Sequence, residues 1–311
     1  MHALVASLLA GGLTYVILAL VSRTVDDHAF DQFSVFWSLA LIIGFGFFLP
    51  VEQEAARLGV GAEDRGPVLG AMMTTAAAIA AVVTVALLAA QPLLVGILDL
   101  TPGLAICCAL VVAASAVQFT ARGALLSARR SRGFSNTLIV DTVLRVVLLG
   151  GVAVVVVLTA PEGASTFYAL AMIAAIVLAH AWAVPWRRWG SDPTTRKRFT
   201  TAALVLVGMN LLAQLLVNAG PVVIQAVVSD TGTAGAFQAS STVARIPLAI
   251  ITPIQAMLVG PLAALAVAHD RHALGRVVTR VALAAGGLAV VGAAVGWLAG
   301  PWVVELVFGE G

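Results

Sequence analysis

The chain has 311 residues, 61% of them hydrophobic and only 10% charged, with a mean hydropathy of +1.05. A soluble domain carries about 25% charge, so the composition excludes a water-soluble enzyme and makes the bilayer the solvent. The net charge of +2 says little by its size; the positions of the charges say more.

Inside a bilayer only helices and closed barrels satisfy the backbone. Barrel strands alternate apolar and polar residues, whereas the apolar runs here are unbroken and near the length of about twenty residues that spans as a helix. The pattern predicts an all-α polytopic membrane protein with about nine transmembrane helices, at 3–22, 34–50, 67–90, 102–120, 138–160, 166–186, 201–228, 239–268 and 281–300. The first lacks the basic flank and small-residue cleavage site of a signal peptide and reads as a retained span. After it, Arg23 stands among Asp26, Asp27 and Asp31, either a gate residue or a solvated charge. The second span carries helix breakers at Gly44, Gly46 and Pro50; Glu52, Glu54 and Arg57 then open a short amphipathic loop. Cys107 and Cys108, adjacent in the fourth span, read as small apolar side chains and not as metal ligands. No metal or cofactor is expected.

Asp141 and Arg145 in the fifth span have the favourable acid-before-base helix spacing. They read either as a structural pair or as a group at the inner gate. His180 in the sixth span is either a packed residue or proton-linked. In the seventh span Asn210, Gln214, Asn218 and Gln225 fall on one helical face, with Gly220-Pro221 breaking the helix before the last. The amide face reads either as a hydrated lining for sugar hydroxyls or as hydrogen-bonding glue between helices. In the eighth, Arg245 precedes Pro247 and Pro253; its guanidinium either faces a central cavity and holds phosphate or snorkels to the outer headgroups. Gly46, Pro50, Pro221, Pro247 and Pro253 are the expected hinges.

The cations set the orientation. Fourteen of the 17 lie in even-numbered loops: Arg57 and Arg65; Arg122, Arg129, Arg130 and Arg132; Arg187, Arg188, Arg196, Lys197 and Arg198; Arg271, Arg276 and Arg280. Odd loops carry acids instead. The N-terminus and even loops are therefore expected in the cytoplasm. The basic clusters are short and lack stacking aromatics, so they meet anionic lipid and no nucleic acid. Lys197 is the sole lysine; with the abundance of Ala, Val and Gly, this points to a GC-rich bacterial genome.

Val21-Ser22-Arg23-Thr24 with Ala29-Phe30 recurs 207 positions on as Val228-Ser229-Asp230-Thr231 with Ala236-Phe237. Ala90-Gln91-Pro92-Leu93-Leu94-Val95 likewise resembles Ala299-Gly300-Pro301-Trp302-Val303-Val304. The repeat unit contains six spans, so its copies run parallel, an organisation of secondary transporters with the substrate site at the repeat interface. The expected division is a six-helix lobe over 1–190 and a partial lobe of three helices over 191–311. Extrapolating the repeat calls for roughly three further helices, so a C-terminally truncated sequence is expected. No phosphate-binding loop, nucleophile elbow or zinc-binding His pair appears, and the chain reads as a carrier and not an enzyme.

With Phe48-Leu49-Pro50-Val51-Glu52-Gln53-Glu54, Arg122-Gly123-Ala124-Leu125-Leu126-Ser127-Ala128-Arg129-Arg130 and Ala236-Phe237-Gln238-Ala239 followed by Ala244-Arg245-Ile246-Pro247, the first repeat motif resembles the Wzx-like polysaccharide-biosynthesis flippases of the multidrug/oligosaccharidyl-lipid/polysaccharide (MOP) exporter superfamily. The resemblance implies two lobes around a central cavity and alternating-access transport of a polyprenyl-diphosphate-linked oligosaccharide. It places Arg245, and more weakly Arg23 and Arg145, at the diphosphate. It also implies a bacterial inner membrane and, as partners, the lipid-linked substrate, membrane lipids and envelope polysaccharide glycosyltransferases or polymerase. A cation-coupled drug exporter of the same fold and a non-transporting scaffold are the alternatives.

Overall fold

The computed structural model describes residues 12–13, 15–59, 62–186, 190, 192–228 and 230–244, with scattered helical positions between 275 and 298. The described residues form helices and connections with no strand among them. Six helical stretches are long and apolar enough to cross a membrane: Asp27–Gly59, Gly66–Ala89, Pro102–Ser127, Ser131–Thr159, Ala164–Ala183 and Pro193–Asn218. They correspond to the second through seventh expected spans. The eighth and ninth, with Arg245, Pro247 and Pro253, and most of the first lie outside the described residues; residues 15–22 are helical. Contacts divide the chain into two compact units, Met1–Gln238 and Ala239–Gly311, and all helices up to Val227 belong to the first.

The first long stretch runs as α1 (Asp27–Leu41), a π-helical segment (Ile42–Phe48) and α2 (Leu49–Gly59). Glu52, Glu54 and Arg57 thus continue a helix, correcting the expected loop. Pro50 explains the π turn: it has no N–H for the carbonyl of Gly46, and its ring crowds that carbonyl. The ladder widens instead, and Leu49 N–H bonds to Gly44 O, five residues back. Then follow α3 (Gly66–Ala89), α4 (Gln91–Gly96), α5 (Pro102–Ser127), α6 (Ser131–Thr159), α7 (Ala164–His180), α8 (Pro193–Asn218), α9 (Gly220–Val227) and α10 (Thr233–Ala244). Helix starts are chemically marked. Asp26 caps Ala29 N at 2.8 Å, Thr101 caps Leu104 N at 3.1 Å ahead of Pro102, and Asp192 caps Thr194 N and Thr195 N ahead of Pro193. Such oxygens satisfy donors that the first helical turn leaves open.

The long α5 is the hub, touching α1, the π segment, α2, α3, α6 and α7. Phe33, Phe36, Phe48, Phe119 and Tyr168 are fully buried around it, and Phe33 meets Tyr168 edge-on at 6.1 Å. Cys107 and Cys108 are buried free thiols in this helix. At the other extreme, only 11% of the apolar window of α8 is buried; its outward Leu and Val side chains suit lipid.

The loops sort by parity. At one end Gly190 N–H bonds to Gly66 O at 2.8 Å, and loops two, four and six share a cavity lined by Glu63, Asp64, Arg65, Arg130 and Trp182. At the other, Gln32 Nε2 donates to Asp99 O at 2.8 Å, Thr101 pairs with Thr166, and Asp31 accepts from Gly232 N–H. The described even loops, which hold the cations, therefore gather at one end and the odd loops at the other.

Candidate functional site

The last two turns of α5 bring Arg122 against α2. Its Nε lies 2.8 Å from Glu52 Oε2 and its Nη2 donates to Glu52 Oε1 at 3.2 Å, with both side chains nearly buried. The guanidinium is also flanked by the rings of Phe119 and Phe134, at 5.0 and 5.1 Å from their centroids, an attraction between cation and ring faces. Arg122 is therefore not a loop cation but a nearly buried residue of α5, with Glu52 and two aromatic rings in place of most of its water.

One helix away, Asp141 and Arg145 make a bidentate pair on α6. Arg145 Nε donates to Oδ1 at 3.0 Å, and Nη2 lies 2.9 Å from Oδ2. The expected pairing is therefore present, and it does not stand alone: Arg122, Asp141 and Arg145 line one cavity of about 290 Å³. Gln118 and Ser115 of α5 add an amide and a hydroxyl, and Trp37 of α1 adds an aromatic wall. On α7, fully buried His180 donates from Nδ1 to Ile176 O at 3.0 Å, leaving Nε2 as an acceptor with no hydrogen-bond partner among the described residues. A carbonyl cannot donate, so the proton belongs on Nδ1. His180 interacts electrostatically with Asp141, Arg122 and Arg145.

The amide row stands apart from this cavity. Asn218 is buried and donates to Gln214 Oε1 at 2.6 Å, and Asn210 donates back to Leu206 O at 3.0 Å. Asn210 and Gln214 are half-buried. The π segment and α8 touch at Gly46, where a Cβ would sit 3.1 Å from Leu211 Cδ1. Helix α8 ends at Asn218 and α9 begins at Gly220, with Pro221 buried in its first turn and Gln225 half-buried beyond. Arg23 is exposed in the turn before α1.

Sequence reasoning missed Asp31, Glu52 and Glu54 as buried charges and Arg122 as a nearly buried one. For Arg122 a signal existed, since Phe119 stands one helical turn before it, but Glu52 is 70 positions away. Among the described residues, no group of three or more His, Cys, Asp or Glu is placed to hold a metal ion.

Solved structures share this architecture. An inward-facing multidrug-resistance MATE family transporter of the MOP superfamily aligns over 99% of this chain and 71% of its own, with a TM-score of 0.63 and 14% identity. A MATE in its bent conformation aligns over 98% of this chain and 74% of its own, with a TM-score of 0.59 and 14% identity. The fold is that of the MATE transporters. No family model matches the sequence, and no curated protein matches it. The chain is thus an all-α, multi-pass membrane protein with the fold of these MATE structures.

Proposed function

We propose that the protein is a membrane carrier that moves a polyprenyl-diphosphate-linked oligosaccharide, or a similar amphipathic lipid-linked sugar, between leaflets by alternating access. The reading places it in a bacterial inner membrane with its N-terminus in the cytoplasm. The observation that carries it is the cavity holding Arg122 and Arg145 beside Gln118, Ser115 and Trp37. Guanidinium forks bind phosphate oxygens bidentately, amides and hydroxyls suit sugar hydroxyls, and an indole face suits the apolar face of a sugar ring. Glu52 and Asp141 hold the two guanidiniums in place but use only part of their donors, since each Arg offers five N–H groups. The volume is near the lower end for small-ligand pockets, the size of a headgroup and not of a whole lipid-linked sugar. The carrier's chain and distal sugars must then lie elsewhere.

The test is transfer of a fluorescent polyprenyl-diphosphate sugar between leaflets of proteoliposomes, read by a membrane-impermeant quencher. The full protein accelerates transfer, and Arg122→Gln or Arg145→Gln slows it at least about tenfold, the weight of one charged hydrogen bond. No acceleration over empty vesicles overturns the reading.

A cation-coupled small-molecule exporter is the second reading. It is favoured by the place of Asp141 in the cavity and by the multidrug-resistance transporter among the similar structures. It requires dye efflux driven by an ion gradient, lost in Asp141→Asn, and no lipid transfer.

A further inference from the structure

Helices α2 and α8 leave a groove of about 980 Å³ between them at the even-loop end. Its rim and floor differ in chemistry. Lys197 and Arg198 stand exposed at the rim, and Ala202, Val205 and Leu206 form the deeper part. From Lys197 to Leu206 the helix rises about 13 Å, so cations give way to an apolar track within two to three turns. That order, charge and then hydrocarbon, is the order of a lipid and not of a soluble anion. The track opens onto the uncovered face of α8, where Val205 is 63% exposed.

The acids nearby are already engaged. Buried Glu54 takes two bonds from Arg57, at 2.7 and 2.5 Å. Asp192 accepts from Thr194 N, Thr195 N and the Thr195 hydroxyl. Lys197 and Arg198 have no carboxylate within ion-pair distance among the described residues. The groove therefore presents two uncompensated cations above an apolar channel.

We infer that this groove seats one anionic phospholipid of the leaflet that meets the even-loop end. Its phosphate lies between Lys197 and Arg198, and an acyl chain lies along Ala202, Val205 and Leu206. The site is separate from the Arg122 and Arg145 cavity and does not depend on what the protein carries. A lipid there adds a bridge between the π-containing span and α8, which also pack directly on each other along the π segment and α2.

The experiment is native mass spectrometry of the purified full chain, titrated with phosphatidylglycerol or phosphatidylcholine of matched acyl chains. Phosphatidylglycerol binds at least about fivefold more tightly, the weight of one basic side chain near a lipid phosphate. K197Q/R198Q erases that preference, K197R/R198K keeps it, and R129Q/R130Q, at the same end but off the groove, keeps it too. Ala202→Trp fills the channel and lowers occupancy by either lipid. If K197Q/R198Q does not fold, Ala202→Trp decides: loss of the bound lipid supports the site and retention overturns it. Equal weakening by both Gln doubles overturns it in favour of diffuse charge. Competition by glycerophosphate as strong as by whole lipid overturns it in favour of a plain anion site. Displacement of phosphatidylglycerol by an equal concentration of polyprenyl diphosphate reassigns the groove to the cargo and overturns the resident lipid.

Discussion

Asp31 Oδ2 accepts the backbone N–H of Gly232 at 2.6 Å, tying the first turns of α1 to the connection ahead of α10. Oδ1 of the same carboxylate accepts Gly235 N–H, also at 2.6 Å, and Asp31 is only 2% exposed. Gly232 has φ +90°, a conformation that a side chain resists. Nearby, Ser38 Oγ donates to Gln238 Oε1 at 3.2 Å. The odd-loop end thus carries a clasp whose centre is one carboxylate.

Asp31→Ala is expected to open this end. Two charge-assisted bonds, each of about 1.5–3 kcal/mol, shift a closed-open balance by more than about tenfold. The measurement is labelling of Ser34→Cys, a fully buried position, by a membrane-impermeant maleimide in a Cys107→Ser/Cys108→Ser background. Labelling rises in Asp31→Ala and rises less in Asp31→Asn, which keeps one acceptor oxygen. Unchanged labelling means the clasp does not hold the end shut.

Gly235→Val approaches the same opening by steric means. A Cβ at Gly235 would lie 2.5 Å from Phe30 Cδ1 and 3.1 Å from Asp31 Oδ1, so the connection must lift off α1. The same cysteine reports it. Labelling equal to that of the parent chain shows that the Phe30 ring yields instead.

Loss of either partner of the Glu52–Arg122 pair strands a buried charge. Glu52→Ala and Arg122→Ala are each expected to destabilise the fold by about 3–5 kcal/mol, read as a lowered Tm of the purified protein. Replacing both, as Glu52→Leu with Arg122→Met, costs less than either single change, because no charge is left behind. A double variant as unstable as the two singles combined would show that the pair is not the source of the loss.

Asp192 sits outside the spans, and the Thr195 hydroxyl, with the N–H groups of Thr195 and Thr194, holds its carboxyl below the usual aspartate range. Because the folded pKa is depressed, the cap is fully present above the ordinary aspartate value and is lost as pH falls through the lower folded value. Hydrogen exchange at Thr194 and Thr195 should stay slow down to the normal aspartate range and quicken only below it. Asp192→Asn should remove that pH dependence. Exchange that quickens already between pH 7 and 5 argues against the cap.

Much of the fold was legible because the bilayer makes composition decisive. An apolar run of span length has few alternatives to a helix, and the alternation of Arg-rich and Asp-rich loops anticipated which of the described loops share an end. What stayed hidden involved charges recognised only through partners far along the chain. Arg122 precedes Arg129, Arg130 and Arg132, so proximity in sequence assigned it to their loop, while its burial depends on Glu52 and on Phe134 from the next helix. Asp31 stood among Asp26 and Asp27 as one more loop acid until its backbone partners appeared. The pairing of Asp141 with Arg145 was readable because it is local, four residues on one helix.

The π turn at Ile42–Phe48 also sets a rotational phase. Asp31 and Glu52 belong to one continuous stretch, Asp27–Gly59, and lie roughly 30 Å apart along it at about 1.5 Å per residue, close to the thickness of a bilayer's hydrocarbon. A π turn amounts to a surplus residue in an α-helix, and each residue turns the helix by about 100°. Removing that surplus residue would swing Glu52 a quarter-turn or more away from Arg122 while Asp31 stayed under Gly232. The span behaves as a keyed shaft: Asp31 and Glu52 find their partners together only while the extra residue remains wound into it.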